Sequence, residues 1–409
     1  MENANLWRVA SALFLSGFAT FSLLYCTQPL LADLARDFRV DAATSSWAVS
    51  ATTAALAVSI LAMGAISEAF SRRGVMFACL TLAAFLNLAS AAAPRWDVRI
   101  AARALEGLAR GGVPGVAMAY LAEEAPPARL GLAMGLNVSG AAFGGMTGRV
   151  AMGALAQASS WRIAIGALSV ADLVIALAFL LLLPPASRRA RNIERMSAGA
   201  HLRAWLGHLG DRAMVSLYLV AFLAMGAFVA VYNYLGFRLA LPPYLLSQGQ
   251  IGLIFLTYMV GMGASSWAGA LADRSGRGPI LILGAIVALA GEALTLAHPL
   301  WAVIAGVATL TGGFFVVHSV ASGWVGRRAA AHRSHASSLY LLAYYGGASA
   351  LGSAGGWFWR AGGWTGLTGL CGAAMMVVLG LSVWLARVPD RVDVVRASKV
   401  AAPDTADTG

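Results

Sequence analysis

Lysine is almost absent from this chain. Of its 29 basic residues 28 are arginines, and the single lysine, Lys399, lies in a polar tail with no glycine loop before it. A Walker A loop needs its lysine, so ATP-driven pumping within the chain is not expected. Charge is scarce as well: 11% of residues are charged, against about 25% in a soluble domain, while 59% are hydrophobic and the mean hydropathy is +0.73. This composition excludes a water-soluble globular enzyme and a disordered protein. The three cysteines, Cys26, Cys79 and Cys371, lie far apart in apolar runs, with no CxxC and no disulfide framework. There is no GxSxG, no HExxH and no grouping of His and Cys, so no catalytic nucleophile, metal or cofactor is expected.

What the chain has is long apolar runs. A spanning helix needs about 20 apolar residues, and twelve stretches qualify: 8–30, 44–67, 74–93, 98–121, 130–155, 161–184, 213–236, 249–271, 279–297, 300–323, 336–358 and 364–386. The expected fold class is therefore an all-α integral membrane protein with the lipid bilayer as partner. The net charge of +11 raises the question of a nucleic-acid partner, and its distribution answers it. With the N-terminus inside, nineteen basic residues fall in cytoplasmic segments, seven fall outside and three are buried in spans. The excess follows the positive-inside rule, so the basicity sets topology and no nucleic acid is expected. The first span lacks a cleavage signature and reads as a retained anchor. The expected organisation is a six-helix bundle over 1–184, a basic cytoplasmic linker over 185–212, a second six-helix bundle over 213–388 and a disordered polar cytoplasmic tail over 389–409.

The two halves repeat each other. Gly64, Glu68, Arg72 and Arg73 follow span 2, and Gly269, Asp273, Arg274, Gly276 and Arg277 follow span 8. Each set places a glycine four residues before a carboxylate and that carboxylate four before an arginine. Gly140 and Gly346 open small-residue stripes in spans 5 and 11, and Trp161 and Trp364 start the spans that come next. Six plus six spans, a basic central loop and GxLaDRxGR-type loops resemble the major facilitator superfamily, and over nearly the whole chain the bacterial drug-and-sugar efflux branch of arabinose-efflux-permease-like proteins. The strings Tyr25-Cys-Thr-Gln28-Pro29, Gly140 to Arg149 and Tyr232-Asn-Tyr-Leu-Gly236 resemble one inner-membrane subgroup. The resemblance implies two pseudo-symmetric bundles, the bacterial inner membrane, both termini cytoplasmic, and a functional monomer. It also implies that the carboxylate–arginine loops latch the cytoplasmic gate. The first copy departs from the pattern, with Glu68 for Asp, Ala69 for Arg and Ser71 for Gly, and is expected to latch more weakly.

Span 4 carries Arg99, Arg103, Glu106 and Arg110, which fall on one helical stripe about 60° wide. Charges at bilayer depth must face protein or water, and because span 4 lines the cavity in the resembled fold, Arg103, Glu106 and Arg110 are expected to line it here. Gly131, Gly140, Gly144, Gly145, Gly148 and Arg149 resemble an antiporter motif in which Gly145 replaces the usual proline and Arg149 the final glycine. Their first expected task is helix packing, and Arg149 adds a charge that packing alone does not want. Tyr25, Gln28, Asn137, Tyr232, Asn233, His318 and Ser322 are the remaining candidate substrate contacts, with Tyr344 and Tyr345 in span 11. Asp172 and Glu292, on spans peripheral in the resembled fold, are expected to serve the scaffold.

The expected function is secondary active transport by alternating access, namely proton-coupled efflux of a small drug- or sugar-like molecule. A proton-coupled importer of an anionic metabolite is the alternative, suggested by the excess of arginine over carboxylate in the stripe. A membrane-embedded enzyme or a non-transporting sensor is the different-class alternative, and neither the catalytic motifs nor a signalling domain that these require is present in the sequence.

Overall fold

Hydrocarbon offers no partners to a backbone N–H or C=O, so an apolar run crosses a bilayer as a helix, its hydrogen bonds closed within itself. The chain does this throughout. A computed structural model describes residues 3–66, 71–124, 130–184, 197–329 and 331–388. Its helices are α1 (Asn3–Leu24), α2 (Leu31–Phe38), α3 (Ala42–Ser45), α4 (Trp47–Ile66), α5 (Arg72–Ala92), α6 (Trp96–Arg110), α7 (Pro114–Glu124), α8 (Leu130–Ala158) and α9 (Trp161–Leu182) in the first half. They continue with α10 (Ala198–Leu209), α11 (Arg212–Leu239), α12 (Gln248–Ile254), α13 (Tyr258–Ser275), α14 (Arg277–Leu294), α15 (Leu300–Arg328) and α16 (Arg333–Leu385). Glu68, the linker residues 185–196 and the tail 389–409 lie outside the described residues.

Nine described segments are long and apolar enough to cross a membrane, and the last of these, α16, holds two crossings. α16 breaks at Gly362 and Gly363, where Gly363 takes φ 55° and ψ −140°, a conformation a side chain resists. The charged pair α6–α7 and the glycine-rich α8 complete twelve spans. Span 4 is not the single helix expected. Gly111 and Gly112 lie between α6 and α7, and Pro114 cannot donate to the helical ladder, so the chain turns at Val113, whose N–H reaches the Arg110 carbonyl at 3.0 Å.

Both halves pack by the same scheme. α1 lies on α8, α4 on α6 and α5 on α9 in the first half. In the second half α11 lies on the first arm of α16, α13 on α15 and α14 on the second arm of α16. The tightest seams are made by missing side chains. A Cβ on Gly140 or Gly144 would collide with the Phe14 or Phe18 carbonyl of α1, and one on Gly148 would stand 2.6 Å from the Ser22 carbonyl oxygen. The equivalent residue of α16 is Gly347, which meets the Phe222 carbonyl of α11; Gly346, expected from the sequence, meets only the Phe222 ring at 3.8 Å. The repeat is thus offset by one residue here, because the closest backbone crossing chooses the glycine.

The linker carries structure the sequence reading did not anticipate. Ser197 caps α10 through its hydroxyl, which accepts from the Ala200 N–H at 3.3 Å. The helix then docks on the start of α16: His201 Nδ1 lies 2.8 Å from His335 Nε2, and Trp205 Nε1 donates to Ser338 Oγ at 3.1 Å. Beside it Asp211 caps α11 and pairs with Arg328 of α15 at 2.9 Å.

Substitution separates the packing glycines from the others. Gly140→Val, which forces α1 off α8, is expected to cost about 1–3 kcal/mol or more and to lower the thermal unfolding midpoint of detergent-purified protein. Gly269→Ala, with nothing within 4 Å, is expected to hold that midpoint or raise it.

Candidate functional site

Charge inside the bilayer is concentrated in two places, and the structure treats them differently. The first is span 4. Arg103, Glu106 and Arg110 are 0–1% exposed, and their polar contacts lie inside the first half. Glu106 sits between the two arginines, one carboxylate oxygen to each. Arg103 also donates to the Ala48 carbonyl at 2.9 Å, the Leu24 carbonyl at 2.9 Å and Asn87 Oδ1 at 3.2 Å, while Arg110 donates to the Thr20 carbonyl. The expectation that this stripe lines the cavity is therefore corrected. Small residues bring α6 so close to α4 and α1 that the guanidiniums end on their carbonyls before reaching a cavity; a Cβ on Gly107 would collide with the Thr52 carbonyl oxygen. The ladder ties α1, α4, α5 and α6 together. Arg99, fully buried, donates to the Ser90 carbonyl at 2.7 Å and stacks 4.7 Å from the Trp161 ring.

The second charge is Arg149 on α8, 2% exposed, at the seam between the halves. Three aromatic rings surround its guanidinium: Tyr25 at 4.4 Å, Tyr258 at 4.7 Å and Phe255 at 5.4 Å, the last two from the second half. Desolvated cation–π contacts of this kind contribute on the order of 2 kcal/mol. Arg149 Nε donates to Gln28 Oε1 at 2.8 Å, and Gln28 Nε2 donates in turn to Asn233 Oδ1 at 2.9 Å across the seam. Arginine can only donate, so it fixes the orientation of both amides. No carboxylate among the described residues lies within ion-pair distance of Arg149. Next to it span 8 is not one helix: a 3-10 turn, Phe255–Thr257, separates α12 from α13 and swings the aromatic side chains to the guanidinium.

The other sequence candidates divide. Tyr25, Gln28 and Asn233 join Arg149. Tyr232 does not, because its hydroxyl is bound by Thr257 and Thr311, each at 2.7 Å, within the second half. His318 Nδ1 bonds the Tyr340 hydroxyl at 3.0 Å and its ring lies 4.6 Å from Tyr344, on an aromatic wall that continues through Phe314 to Phe228. Ser322 donates to the Ser319 carbonyl of its own helix at 3.1 Å, and Asn137 Nδ2 reaches only the Met118 sulfur at 3.9 Å. The sequence reading missed Tyr258 and Phe255. Aromatic residues are common in apolar helices, and only the broken helix shows where these two point.

The carboxylate loops can be compared in part. Asp273 pairs with Arg277 and with Arg327 of α15, each at 3.1 Å, and Gly276 turns the chain between α13 and α14 at φ 85°. Arg274 is exposed. Gly269 was expected to admit a neighbouring helix, but none is within 4 Å in this conformation. In the first copy Arg73 donates to the Leu180 carbonyl at 2.5 Å and Ser71 caps α5, which gives the serine a local task in place of the missing glycine. Gly64 and Arg72 lie at the end of α4 and the start of α5, and Gly131 near the start of α8. A Cβ on Gly145 would stand 3.2 Å from Arg149 Nη1, and the Gly145 carbonyl accepts a hydrogen bond from that group at 2.5 Å, so this glycine serves the arginine more than helix packing.

Contacts between the halves crowd at one end. Gln248 Nε2 donates to the Pro29 carbonyl at 2.5 Å, Ser247 Oγ and the Gly249 N–H reach Gln157 Oε1 at 2.9 and 2.7 Å, and Ser349 Oγ donates to the Ser50 carbonyl at 2.9 Å. Arg360 pairs with Asp41 at 3.0 Å. The Thr44 hydroxyl, the Thr44 N–H and then Arg360 hold the Asp41 carboxyl below its ordinary pKa. Among the described residues these hydrogen bonds and this ion pair between the halves lie toward one end of the molecule.

The buried ladder yields a test. Glu106→Gln leaves two guanidiniums buried without a counter-charge, and breaking a buried pair costs about 3–5 kcal/mol. The variant is expected to unfold at a clearly lower temperature in detergent. An unchanged midpoint with loss of pH-gradient coupling would return Glu106 to the transport machinery.

The sequence profile of the Major Facilitator Superfamily matches residues 13–241 and 223–404. The chain is 40% identical over 387 residues to the uncharacterized MFS-type transporter YybF of Bacillus subtilis (strain 168), covering 94% of this chain and 95% of that protein. It is 41% identical over 376 residues to the inner membrane transport protein YnfM of Escherichia coli (strain K12), covering 92% of this chain and 89% of that protein. Its fold matches a bacterial homologue of the human lysosomal transporter Spinster, solved inward-facing and unoccupied, with a TM-score of 0.70 at 13% identity over 94% of this chain and 95% of that one. The protein is a multi-pass transporter of the bacterial inner membrane, not an enzyme, and the chain belongs to the Major Facilitator Superfamily.

Proposed function

We propose that the protein is a proton-coupled secondary transporter that exports a small organic molecule by rocking its halves about the seam at Arg149. The supporting observation is the one-ended closure. The halves are joined by hydrogen bonds, the Arg360–Asp41 ion pair, the Arg149 cage and two close crossings, Gly153 on Gly252 and Gly356 on Ala43, whereas each bundle is locked internally by runs of such crossings, as at Gly140, Gly144 and Gly148. Contacts gathered toward one end of two internally locked bodies are what rocking about a seam requires. In this reading the basic linker 185–212 and both termini are cytoplasmic, the seam is the outer gate, and the open end faces the cytoplasm. Asp273, with Arg277 and Arg327 beside it, then stands at the cytoplasmic mouth.

Proton coupling needs a carboxyl that can lose its charge. Glu106, held by two arginines, is a poor carrier. Asp172 and Glu292 remain. Asp172 accepts from Ser22 Oγ at 2.8 Å, and its other oxygen has no partner. Glu292, 3% exposed, has no hydrogen-bond partner on either oxygen. The internal repeat explains why. Asn87 and Glu292 each lie fifteen residues after their span's leading arginine, Arg72 or Arg277. Asn87 donates to Ser169 Oγ at 3.0 Å and accepts from Arg103, but the residue matching Ser169, counted from Trp161 and Trp364, is Gly372. The second half carries an acid where the first has Asn87, and a glycine where the first has the serine that partners it.

Two measurements test the reading. A Gln157→Cys/Ser247→Cys pair, oxidised in reconstituted vesicles, is expected to lock the seam and stop transport, with reduction restoring it; full transport by the cross-linked protein would sink the rocking mechanism. Ser187→Cys in the linker is expected to resist an impermeant thiol reagent added to intact cells, and labelling there would invert the topology.

A further inference from the structure

The groups left unsatisfied at the seam share one chemical character. Tyr25 is 3% exposed, and its hydroxyl has no hydrogen-bond partner. Asn233 is 1% exposed; its oxygen is taken by Gln28, and its Nδ2 has no partner. Ser50 Oγ, on a fully buried residue, has none either. Gly352 keeps the space in front of these last two open: a Cβ there would stand 3.2 Å from Asn233 Nδ2 and 3.5 Å from Ser50 Oγ. The amide orientation is imposed by Arg149, so the free group at the end of the chain Arg149–Gln28–Asn233 is a donor. With the guanidinium itself, this part of the seam holds a cation, an amide donor and two hydroxyls able to donate, and among the described residues no carboxylate within ion-pair distance of Arg149; Asp41, the seam's acid, is paired with Arg360.

Buried donors without acceptors are costly, and a buried cation without an anion is costlier. A cation–π cage offsets only part of that cost, and an ion pair in the same partly dry seam outweighs it. A ligand that brings an anionic, acceptor-only group supplies what they lack, acceptors for the donors and a counter-charge for Arg149. A cationic drug would be repelled by Arg149, and a neutral sugar would leave its charge uncompensated. The approach from the open end is apolar and aromatic: Tyr258 lies 5.7 Å from Phe315, and Phe314 stacks 6.0 Å from His318.

We propose that the seam around Arg149 is an anion site and that the transported molecule is an organic carboxylate with an aromatic or apolar body. Its carboxylate sits on Arg149, Tyr25 and Asn233, and its body lies along the aromatic wall of the second half. The proposal rests on the alternating-access reading for how the anion is released, but not for its binding. Seating the anion draws the guanidinium out of the cage formed with Tyr258 and Phe255, which removes one of the contacts holding the seam shut.

The test uses full-length protein in detergent and in proteoliposomes. The probes are benzoate, salicylate, phenylacetate and indole-3-acetate, the amine and alcohol matched to phenylacetate, and glucose. Carboxylates are expected to raise the thermal unfolding midpoint and to show counterflow, while the amine, the alcohol and glucose do neither. Arg149→Gln is expected to weaken carboxylate binding about 10- to 100-fold, and Tyr25→Phe, which keeps the ring and the fold, about tenfold. Arg149→Lys is expected to keep the preference for carboxylates at lower affinity, as a point charge without the planar fork. Stabilisation by the amine or by glucose instead, or silence from every carboxylate, overturns the anion site. Carboxylate binding that survives in Arg149→Gln with unchanged affinity overturns it too. Binding without counterflow, with the Gln157–Ser247 cross-link having no effect, leaves the anion site standing and removes the transport cycle.

Discussion

Backbone-to-backbone contact between helices is the constraint on which the rest of this structure depends. Lipid tails are as apolar as leucine, so helices in a bilayer gain little from burying hydrophobic side chains and associate by approaching closely. Here α8 meets α1 through Gly140, Gly144 and Gly148, and α16 meets α11 through Gly347. These crossings make each half a rigid body. They also set the depth at which polar groups of neighbouring helices come together, and so decide which charges meet backbone carbonyls and which meet the other half.

That difference separates the two sets of buried arginines. Arg103 and Arg110 lie on a helix drawn tight against its neighbours, and their guanidiniums end on carbonyls and on Glu106 inside one bundle. Arg149 lies on the face of α8 turned to the other half, and its partners are rings and an amide chain that crosses the seam. The same residue type is mortar in one place and a movable contact in the other. The aromatic wall around Phe314, His318 and Tyr344 has no counterpart in the first half's Arg–Glu ladder, so the two bundles share a packing scheme but have specialised in opposite chemistries.

Much of this was legible in the sequence. Apolar length located the twelve spans, since a membrane helix satisfies its backbone locally and needs no knowledge of its neighbours. The loop pair around Glu68 and Asp273 exposed the duplication, and Arg149 stood out because a charge inside a packing motif has no packing reason. Other readings failed where a neighbour decides. Helical periodicity placed Arg103, Glu106 and Arg110 on one stripe but not the direction in which it faces. Tyr232, a candidate substrate contact, has its hydroxyl bound by Thr257 and Thr311. The break between α6 and α7 was available in Gly111, Gly112 and Pro114, yet glycine in a membrane helix marks a close crossing as often as a bend.

The sequence by itself determined the class of molecule, the number of crossings and the twofold plan, because all three follow from local hydropathy and from residues compared along one chain. Tertiary structure alone decided which polar groups are spent on the scaffold and which remain unsatisfied at the seam. Arg103 and Arg149 are both arginines in apolar helices, and neither local sequence states whether the guanidinium ends inside its own bundle or against the other half. The assignment depends on how near another helix comes, and that distance is set by glycines tens of residues away.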